Sequence, residues 1–467
     1  MLLAAAIRQL DLSAEPEAVF AAMDRERPIC AIWSEADDRR SRWTILAHPS
    51  GTLETGNHAL RGVPNSVWPA TAPDPPTPPN GELPFTGGWI GLLSYDLGGE
   101  LEPHAPTSHH PQWPRAAWLR CEDALVYDRK ELQWWSVGSP EVPDLAATRG
   151  ATFTIGPVGG GTTRQRYCTA VRRSLDHIAR GDIYQLNLTH ELMAPFDGST
   201  RAFFLALARR AKPWYGAYLE LPGERAICSV SPELFLQIKP DGRIVTRPMK
   251  GTRTDAAPTA AAELRESDKE RAELNMIVDL LRNDLGRVCA PGSIAVDQLR
   301  SIETHAPISM SSVSSAASSP ATSALLQATA TISGKLRPGV SLHEILRATF
   351  PGGSITGAPK IRAMRLIAEL EARPRGPYCG SIGFISDSGH AAFNIAIRTA
   401  LVHADRLSYA VGAGIVADSD PDAEWQETLD KARVLLDIAG QHALEQTTPV
   451  VTPAAHLAAS PSTLGTR

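Results

Sequence analysis

The chain has no hydrophobic run approaching the roughly 20 apolar residues that cross a bilayer, so no membrane partner is expected. It has no cluster of Lys and Arg. Lys plus Arg number 46 against 51 Asp plus Glu, a formal charge of −5, which argues against nucleic acid as the main partner. Cysteine is sparse. Cys30, Cys121, Cys168, Cys228, Cys289 and Cys379 show no metal-ligand spacing and read as reduced thiols of a cytoplasmic protein. The apolar stretch from Met1 to Ile7 has no basic lead-in and meets Arg8 and Asp11 at once, so it is expected to open a domain rather than act as a signal peptide. No fixed-period repeat is present.

What is there is ordinary globular material, 43% hydrophobic and 21% charged. At 467 residues the chain is too long for one ordinary core, which predicts one large domain or two fused ones. Two breaks mark its organisation. The span from Pro64 to Pro84 holds eight prolines and reads as a surface loop. The run Gly156-Pro157-Val158-Gly159-Gly160-Gly161 reads as a flexible joint. The expected division is therefore a first domain over 1–155, a second over 162–442 and a disordered tail over 443–467. A stretch from Ser309 to Ser323, nearly all Ser and Ala, is expected to be a mobile loop.

Past the second break the periodicities sharpen. Tyr167, Val171, Leu175 and Ile178 recur at helical spacing until Gly181. The segment Ile183–Thr189 alternates as a strand, with Tyr184, Leu186 and Leu188 on an apolar face and Gln185, Asn187 and Thr189 on the other. The polar face suits a cleft wall, and pattern alone equally allows a solvated face.

Two helices carry carboxylates on half-buried faces. From Lys269 to Leu285 the apolar stripe is Leu274, Ile277, Val278, Leu281 and Leu285, and Glu270 and Glu273 fall in or beside it. Near the other end Asp420 and Pro421 start a helix on which Glu424, Glu427 and Lys431 share a face with Leu435 and Ile438. Acids one turn apart on a buried face repel and are costly to desolvate, so a cation is expected to meet them. Two such pairs suit a hard divalent ion such as Mg²⁺, although surface salt bridging accounts for them about as well. The loop Phe350–Lys360 leads into a helix whose first turn is expected to hold Pro359. Gly357 is followed by Ala358-Pro359, not Lys-Ser/Thr, so the loop suits a carboxylate better than a nucleotide, and a plain turn remains the simpler reading.

These motifs together resemble the chorismate-utilising enzymes, a family that includes anthranilate synthase component I, aminodeoxychorismate synthase component I and the isochorismate and salicylate synthases. The segments that carry the resemblance are Ile183–Thr189, Ser231-Pro232-Glu233-Leu234, Arg247–Thr252, Asp268–Asp284, Phe350–Lys360, Tyr378–Gly383, Asn394–Arg398 and Gly412–Lys431. They run in family order over roughly 164–439, with a looser match at Gly87–Asp96. The resemblance implies an α+β fold: two large antiparallel sheets stacked as a sandwich, helices outside, and the site in a cleft between them.

Two positions subdivide the family. Gln185 stands where the water-adding members carry a lysine base, and a glutamine cannot serve as that base. Lys250 stands where the aminodeoxychorismate synthases resemble this chain and the anthranilate synthases have alanine; a lysine amine becomes a nucleophile once burial or a nearby cation frees it of its proton. The resemblance implies Lys250 as nucleophile and Glu233 as general acid. It implies Mg²⁺ on Glu273 and Glu427, with Glu270 and Glu424 acting through water. Gln185, Ser354, Tyr378, Arg398, Gly412, Gly414 and Lys431 would hold chorismate. No Gly-x-Cys-x-Gly elbow surrounds any cysteine, so ammonia is expected from a separate glutamine amidotransferase subunit. One position departs from the pattern: Gln327 stands where the family usually has histidine, and His305 is too distant in sequence to be taken as its substitute. Anthranilate synthase component I and a non-catalytic chorismate-binding regulator are the alternatives.

Overall fold

The computed structural model describes residues 6–35, 41–55, 66–68, 83–147, 150–254, 259–309 and 322–441. Most of the expected proline-rich loop, the centre of the Ser/Ala-rich stretch and all of the expected tail lie outside the described residues.

Alternating side chains buried on both faces produce long inner strands. In Ala116–Cys121, Trp118 packs into one apolar layer and its neighbour Leu119 into the next. Among the described residues the strands form a thirteen-stranded and a ten-stranded sheet and one two-stranded pair, and the long pairings are antiparallel. The two sheets face each other across Ile45, Ile90, Leu92, Leu119, Val126, Ile227 and Phe384. Outside the larger sheet, Phe20, Phe203, Phe204 and Leu435 bring in the helices Pro16–Ala22, Thr200–Ala211 and Pro421–Ile438. Outside the smaller sheet, Leu274, Ile277, Leu281 and Leu346 pack on Ala328, Ala330 and Ile332. The order is helix, sheet, sheet, helix, as the family resemblance implied.

The boundary expected near 155–162 does not separate the sheets. Cys30–Trp33 lies beside Tyr215–Leu221 in the larger one, and Gly88–Leu93 beside Ser381–Ser386 in the smaller. The expected flexible joint is pinned to a strand. Gly159 and Gly160 pair with Met193 and Leu192, and the Gly161 N–H donates to the Glu191 carbonyl at 3.0 Å.

The carboxylate helices form where their caps and stripes place them. Ser267 accepts from the Glu270 N–H and starts Asp268–Gly286, whose five stripe residues are all buried. Asp420 accepts from the N–H groups of Asp422 and Ala423 and starts Pro421–Ile438. Two details differ from expectation. The strand begins at Gln185, and Tyr184, assigned to its apolar face, is 68% exposed. Pro359 is the cap of the helix Lys360–Glu371, not part of its first turn. Lys360, the first residue of that helix, donates from Nζ to Asp284 Oδ2 at 2.7 Å and to the Thr349 carbonyl at 3.2 Å. Burial pushes the Asp284 carboxyl above its ordinary range, and Lys360 draws it back.

Removing one partner of a buried ion pair strands the other charge. Lys360→Met is therefore expected to destabilise the chain by about 3 kcal/mol, at the lower end because Lys360 is not wholly enclosed. Urea unfolding checks this, and an unchanged midpoint would show that Asp284 finds another partner.

Candidate active site

The strand Gln185–Gly198 pairs with Arg406–Ile415 so that Asn187 lies opposite Gly414 and Thr189 opposite Gly412. Directly opposed residues share a face, so two glycines stand where side chains would cover the polar face of the first strand. That clearance is occupied. A Cβ placed on Gly414 would lie 2.9 Å from Gln185 Nε2 and 2.9 Å from Lys250 Nζ. An amide and an amine from different sheets thus converge over one glycine. The Gln185 side chain is fully buried, and neither its Nε2 nor its Oε1 has a hydrogen-bond partner among the described residues. Leaving a buried polar atom unpaired costs about 1–3 kcal/mol, so the amide is built for a ligand or water rather than for stability.

Lys250 is brought there by Met249–Thr254, where it pairs with Ala328 before a bulge at Gly251. Gly251 has φ +70°, and a Cβ there would come within 2.6 Å of Glu270 Oε2. Glycine is required at this position both by its left-handed backbone and by the carboxylate against it. Lys250 Nζ lies 3.9 Å from Glu273 Oε2, with both side chains largely buried.

Glu233 is buried, and its Oε1 accepts from the Ser354 hydroxyl at 2.6 Å. Burial pushes its carboxyl up to about 7, against the hydrogen bond from Ser354 and the charges of Lys250 and Lys431, which pull it down. Ser354 sits in the short turn Gly353–Ile355 of the glycine loop. Lys431 Nζ donates to the Gly412 carbonyl at 2.8 Å and to Glu427 Oε1 at 2.7 Å. Glu424 is buried, with Oε1 accepting from Ser419 at 2.6 Å, while Glu427 is exposed. Among the described residues no three His, Cys, Asp or Glu side chains come close enough to enclose a metal. The acids form two separate pairs, from the helices Asp268–Gly286 and Pro421–Ile438.

Tyr378 and Arg398 stand on adjoining loops: the Cys379 N–H donates to the Ala396 carbonyl and the Ala396 N–H to the Gly380 carbonyl, each at 2.9 Å. Both loops are strained. Cys379 has φ +61° and Arg398 φ +48°, conformations that cost non-glycine residues of order 1–3 kcal/mol and gather at functional sites. Tyr378 is buried, which pushes its hydroxyl well up. Burial lowers the Arg398 guanidinium from its ordinary value, and only Tyr409 offsets that electrostatically; no carboxylate is paired with it among the described residues.

Gln327 is buried on Thr322–Lys335, opposite Thr252 and Glu303. It projects from the opposite face to its neighbour Ala328, the partner of Lys250. Glu371 and Arg375 are not among the residues expected at the site. Both are almost wholly buried, and they form a two-pronged ion pair, Arg375 Nη2 to Glu371 Oε1 at 2.6 Å and Nε to Oε2 at 3.0 Å. Their i,i+4 spacing was the available signal, but such pairs are ordinary on exposed helix faces. The cavity between the sheets, lined by Trp33, Trp214, Tyr215 and Asn394 among others, contains none of the expected site residues.

The chain belongs to the chorismate binding enzyme family, which it matches over residues 28–437. It is 36% identical over 420 residues to aminodeoxychorismate synthase component 1 of Klebsiella aerogenes, covering 84% of this chain and 89% of that protein. It is 34% identical over 435 residues to anthranilate synthase component 1 of Streptomyces coelicolor, covering 85% and 80%. Anthranilate synthase component I of Streptococcus pneumoniae TIGR4 has the same fold, with a TM-score of 0.69, 25% identity, and coverage of 91% of this chain and 98% of that one. No helix among the described residues is long and apolar enough to cross a membrane.

Gly414→Ala tests the convergence. The atoms it would meet are side-chain ends, so the fold is expected to survive with a melting temperature within a few degrees of wild type. Displacing the amide and amine by about 1 Å is expected to cost roughly 100-fold in turnover of chorismate. Unchanged turnover in the folded variant would separate Gly414 from the chemistry.

Proposed function

We propose that this chain is the chorismate-aminating component of aminodeoxychorismate synthase, converting chorismate and ammonia to 4-amino-4-deoxychorismate on the way to p-aminobenzoate and folate. The observation that carries this reading is the meeting of Lys250 Nζ and Gln185 Nε2 over Gly414. An amine able to act as nucleophile then lies beside an amide that stands where the water-adding members have their lysine base and cannot take that role.

Lys250 attacks C2 of the ring, the double bond shifts, and the C4 hydroxyl departs. Glu233 supplies the proton to that hydroxyl. A carboxyl held at about 7 is substantially protonated at neutral pH, whereas an exposed one is not. Ammonia then adds at C4, the double bond shifts back and the Lys250 nitrogen leaves C2. Tyr378 and Arg398 bind the enolpyruvyl carboxylate, the guanidinium as a forked donor. Ser354, Lys431 and the backbone at Gly412 and Gly414 complete the anion site.

The four glutamates fit Mg²⁺ by donor chemistry. This ion takes one or two carboxylates and completes its shell with water and substrate oxygens, so two separate pairs suffice without a closed protein cage. Glu273 and Glu427 would hold it directly and Glu270 and Glu424 through water; when bound it supplies positive charge for the ring carboxylate. Ammonia comes from a separate glutamine amidotransferase subunit, in line with the component 1 naming of the relatives.

Incubation with chorismate, Mg²⁺ and ammonium is expected to give 4-amino-4-deoxychorismate, with an adduct on Lys250 seen by intact mass and absent in Lys250→Ala. Anthranilate as the main product would instead favour the second reading, anthranilate synthase component I, which the Streptomyces coelicolor relative keeps in view. Glutamine alone should not replace ammonium for the isolated chain.

Because Glu233 must carry its proton, kcat/KM is expected to fall as pH rises through about 7. Glu233→Gln should remove that limb and lower the rate by about 10²–10⁴-fold, while Gln327→His changes it less than tenfold. A larger gain from Gln327→His would transfer the acid role to that position. Glu273→Gln and Glu427→Gln are each expected to weaken Mg²⁺-dependent chorismate binding by calorimetry. Binding indifferent to chelation would leave the acids as salt-bridge partners.

A further inference from the structure

Two backbone segments shape the floor of the cleft. One is the strand bearing Gln185 and Asn187, the other the turn bearing Ser354. They are 167 residues apart between Asn187 and Ser354 and meet directly, the Asn187 N–H donating to the Thr356 carbonyl at 2.8 Å and Asn187 Nδ2 to the Ser354 carbonyl at 3.3 Å, and a buried side chain ties them a second time. Arg375 Nη2 donates to the Asn187 carbonyl at 2.7 Å, and its Nη1 donates to the Ile355 carbonyl at 2.9 Å. Its partner Glu371 accepts from the Thr189 N–H at 2.9 Å through Oε1. The guanidinium lies 4.6 Å from the Tyr95 ring centroid, and Asp96 accepts from the N–H groups of Arg375 and Gly376 at 3.3 and 3.2 Å. Arg375 is 1% exposed and Glu371 is inaccessible, and four of the five guanidinium N–H groups are taken by partners within the protein, which leaves the pair a structural rather than a substrate-binding part.

We propose that Arg375, locked by Glu371, is a positioning residue that, together with the direct hydrogen bonds from Asn187, orients the Ser354 turn on the Gln185 strand and thereby places the Ser354 hydroxyl on Glu233. The functional side of this proposal rests on the reading of Glu233 as general acid. The geometric side does not: Ile355 adjoins Ser354, so the bond that holds the Ile355 carbonyl also fixes the hydroxyl that donates to Glu233. Only a guanidinium can do this. It has five N–H donors in one rigid plane, enough for a two-pronged carboxylate and two carbonyls on diverging edges, whereas an ammonium has three donors at one point.

The charges that face Glu233 are Lys250 and Lys431, and the hydrogen bond from Ser354 acts in the same direction, lowering its titration. Loss of that hydrogen bond should therefore raise it. The test uses the full chain with ¹³C-labelled glutamate, following the Glu233 carboxyl by NMR as a function of pH without ligand. The variants are Ser354→Ala, Arg375→Lys and the double variant Arg375→Met with Glu371→Leu, which removes both buried charges together and so leaves no unpaired ion.

In Ser354→Ala the Glu233 titration should move to higher pH. In Arg375→Lys and the double variant it should move in the same direction, with kcat for chorismate turnover down by about 10- to 100-fold and KM nearly unchanged. A folded Arg375→Lys or double variant with wild-type titration and wild-type kcat would overturn the proposal and leave the pair as packing alone. So would a titration in Ser354→Ala that does not move. The double variant failing to fold would leave Arg375→Lys, which keeps the charge, to decide. The ligand-free titration is independent of the product formed. A chain that makes anthranilate but shows the titration shifts would refute the proposed reaction and keep the positioning role.

Discussion

The ion pair between Arg375 and Glu371 ties together more distant sequence than any other contact near the cleft. It reaches Tyr95 and Asp96 near the start of the chain, Asn187 and Thr189 in the centre and Ile355 beyond. An ion pair removed from water rarely adds net stability, because desolvating both charges offsets their attraction. Its value lies in uniqueness. With three main-chain partners in fixed directions, only one mutual arrangement of these segments satisfies every donor. This also gives a physical role to the Gly87–Asp96 segment, which resembles the family pattern yet contributes no expected site residue: Asp96 anchors the backbone at Arg375 and Gly376.

Around that anchor the cleft combines groups that are costly to bury with backbone that leaves them room. Gln185 is desolvated without a partner, Glu233 has a single hydroxyl on its carboxylate, and Cys379 and Arg398 hold left-handed conformations. Each feature opposes folding slightly. Together they keep donors and charges oriented before a ligand arrives, so little reorganisation is left for the reaction itself. Gly412 and Gly414 are the complementary economy of space: with no side chains on that face, Lys431 reaches one carbonyl and Lys250 stands over the other glycine.

How much of this was legible follows from range. The carboxylate helices could be read because cap and stripe are local: Ser267, Asp420 and the Leu274–Leu285 periodicity lie within a few turns. Glu233, Lys250 and Ser354 were accessible through motif resemblance, which gave their identities but not their contacts. Two readings failed for physical reasons. Tyr184 fits the strand alternation but precedes the first paired residue and stands in solvent. The Gly159–Gly161 run has the composition of a linker, but its backbone completes a sheet edge, which no composition records. Sheet partnership across residue 155 was hidden for the same reason: strand order is a long-range property, and the composition shift marks only where the chain crosses the surface.

Glu233 shows how one term serves two ends. Its folded-state carboxyl is raised from 4.5 to about 7, with burial as the main cause. The unfolded chain therefore releases this proton first as pH rises. The contribution of Glu233 to stability is most favourable below about 4.5 and is lost progressively as pH climbs to about 7, the reverse of a salt-bridged surface acid. Lys250 and Lys431 limit that loss, since both favour the ionised form, and Ser354 limits it further. Were these three stronger, the carboxyl would ionise at acidic pH and hold no proton to donate; were they absent, it would keep its proton too tightly to give it up. The same moderate desolvation that weakens the fold near neutrality thus leaves the carboxyl able both to hold a proton there and to give it up.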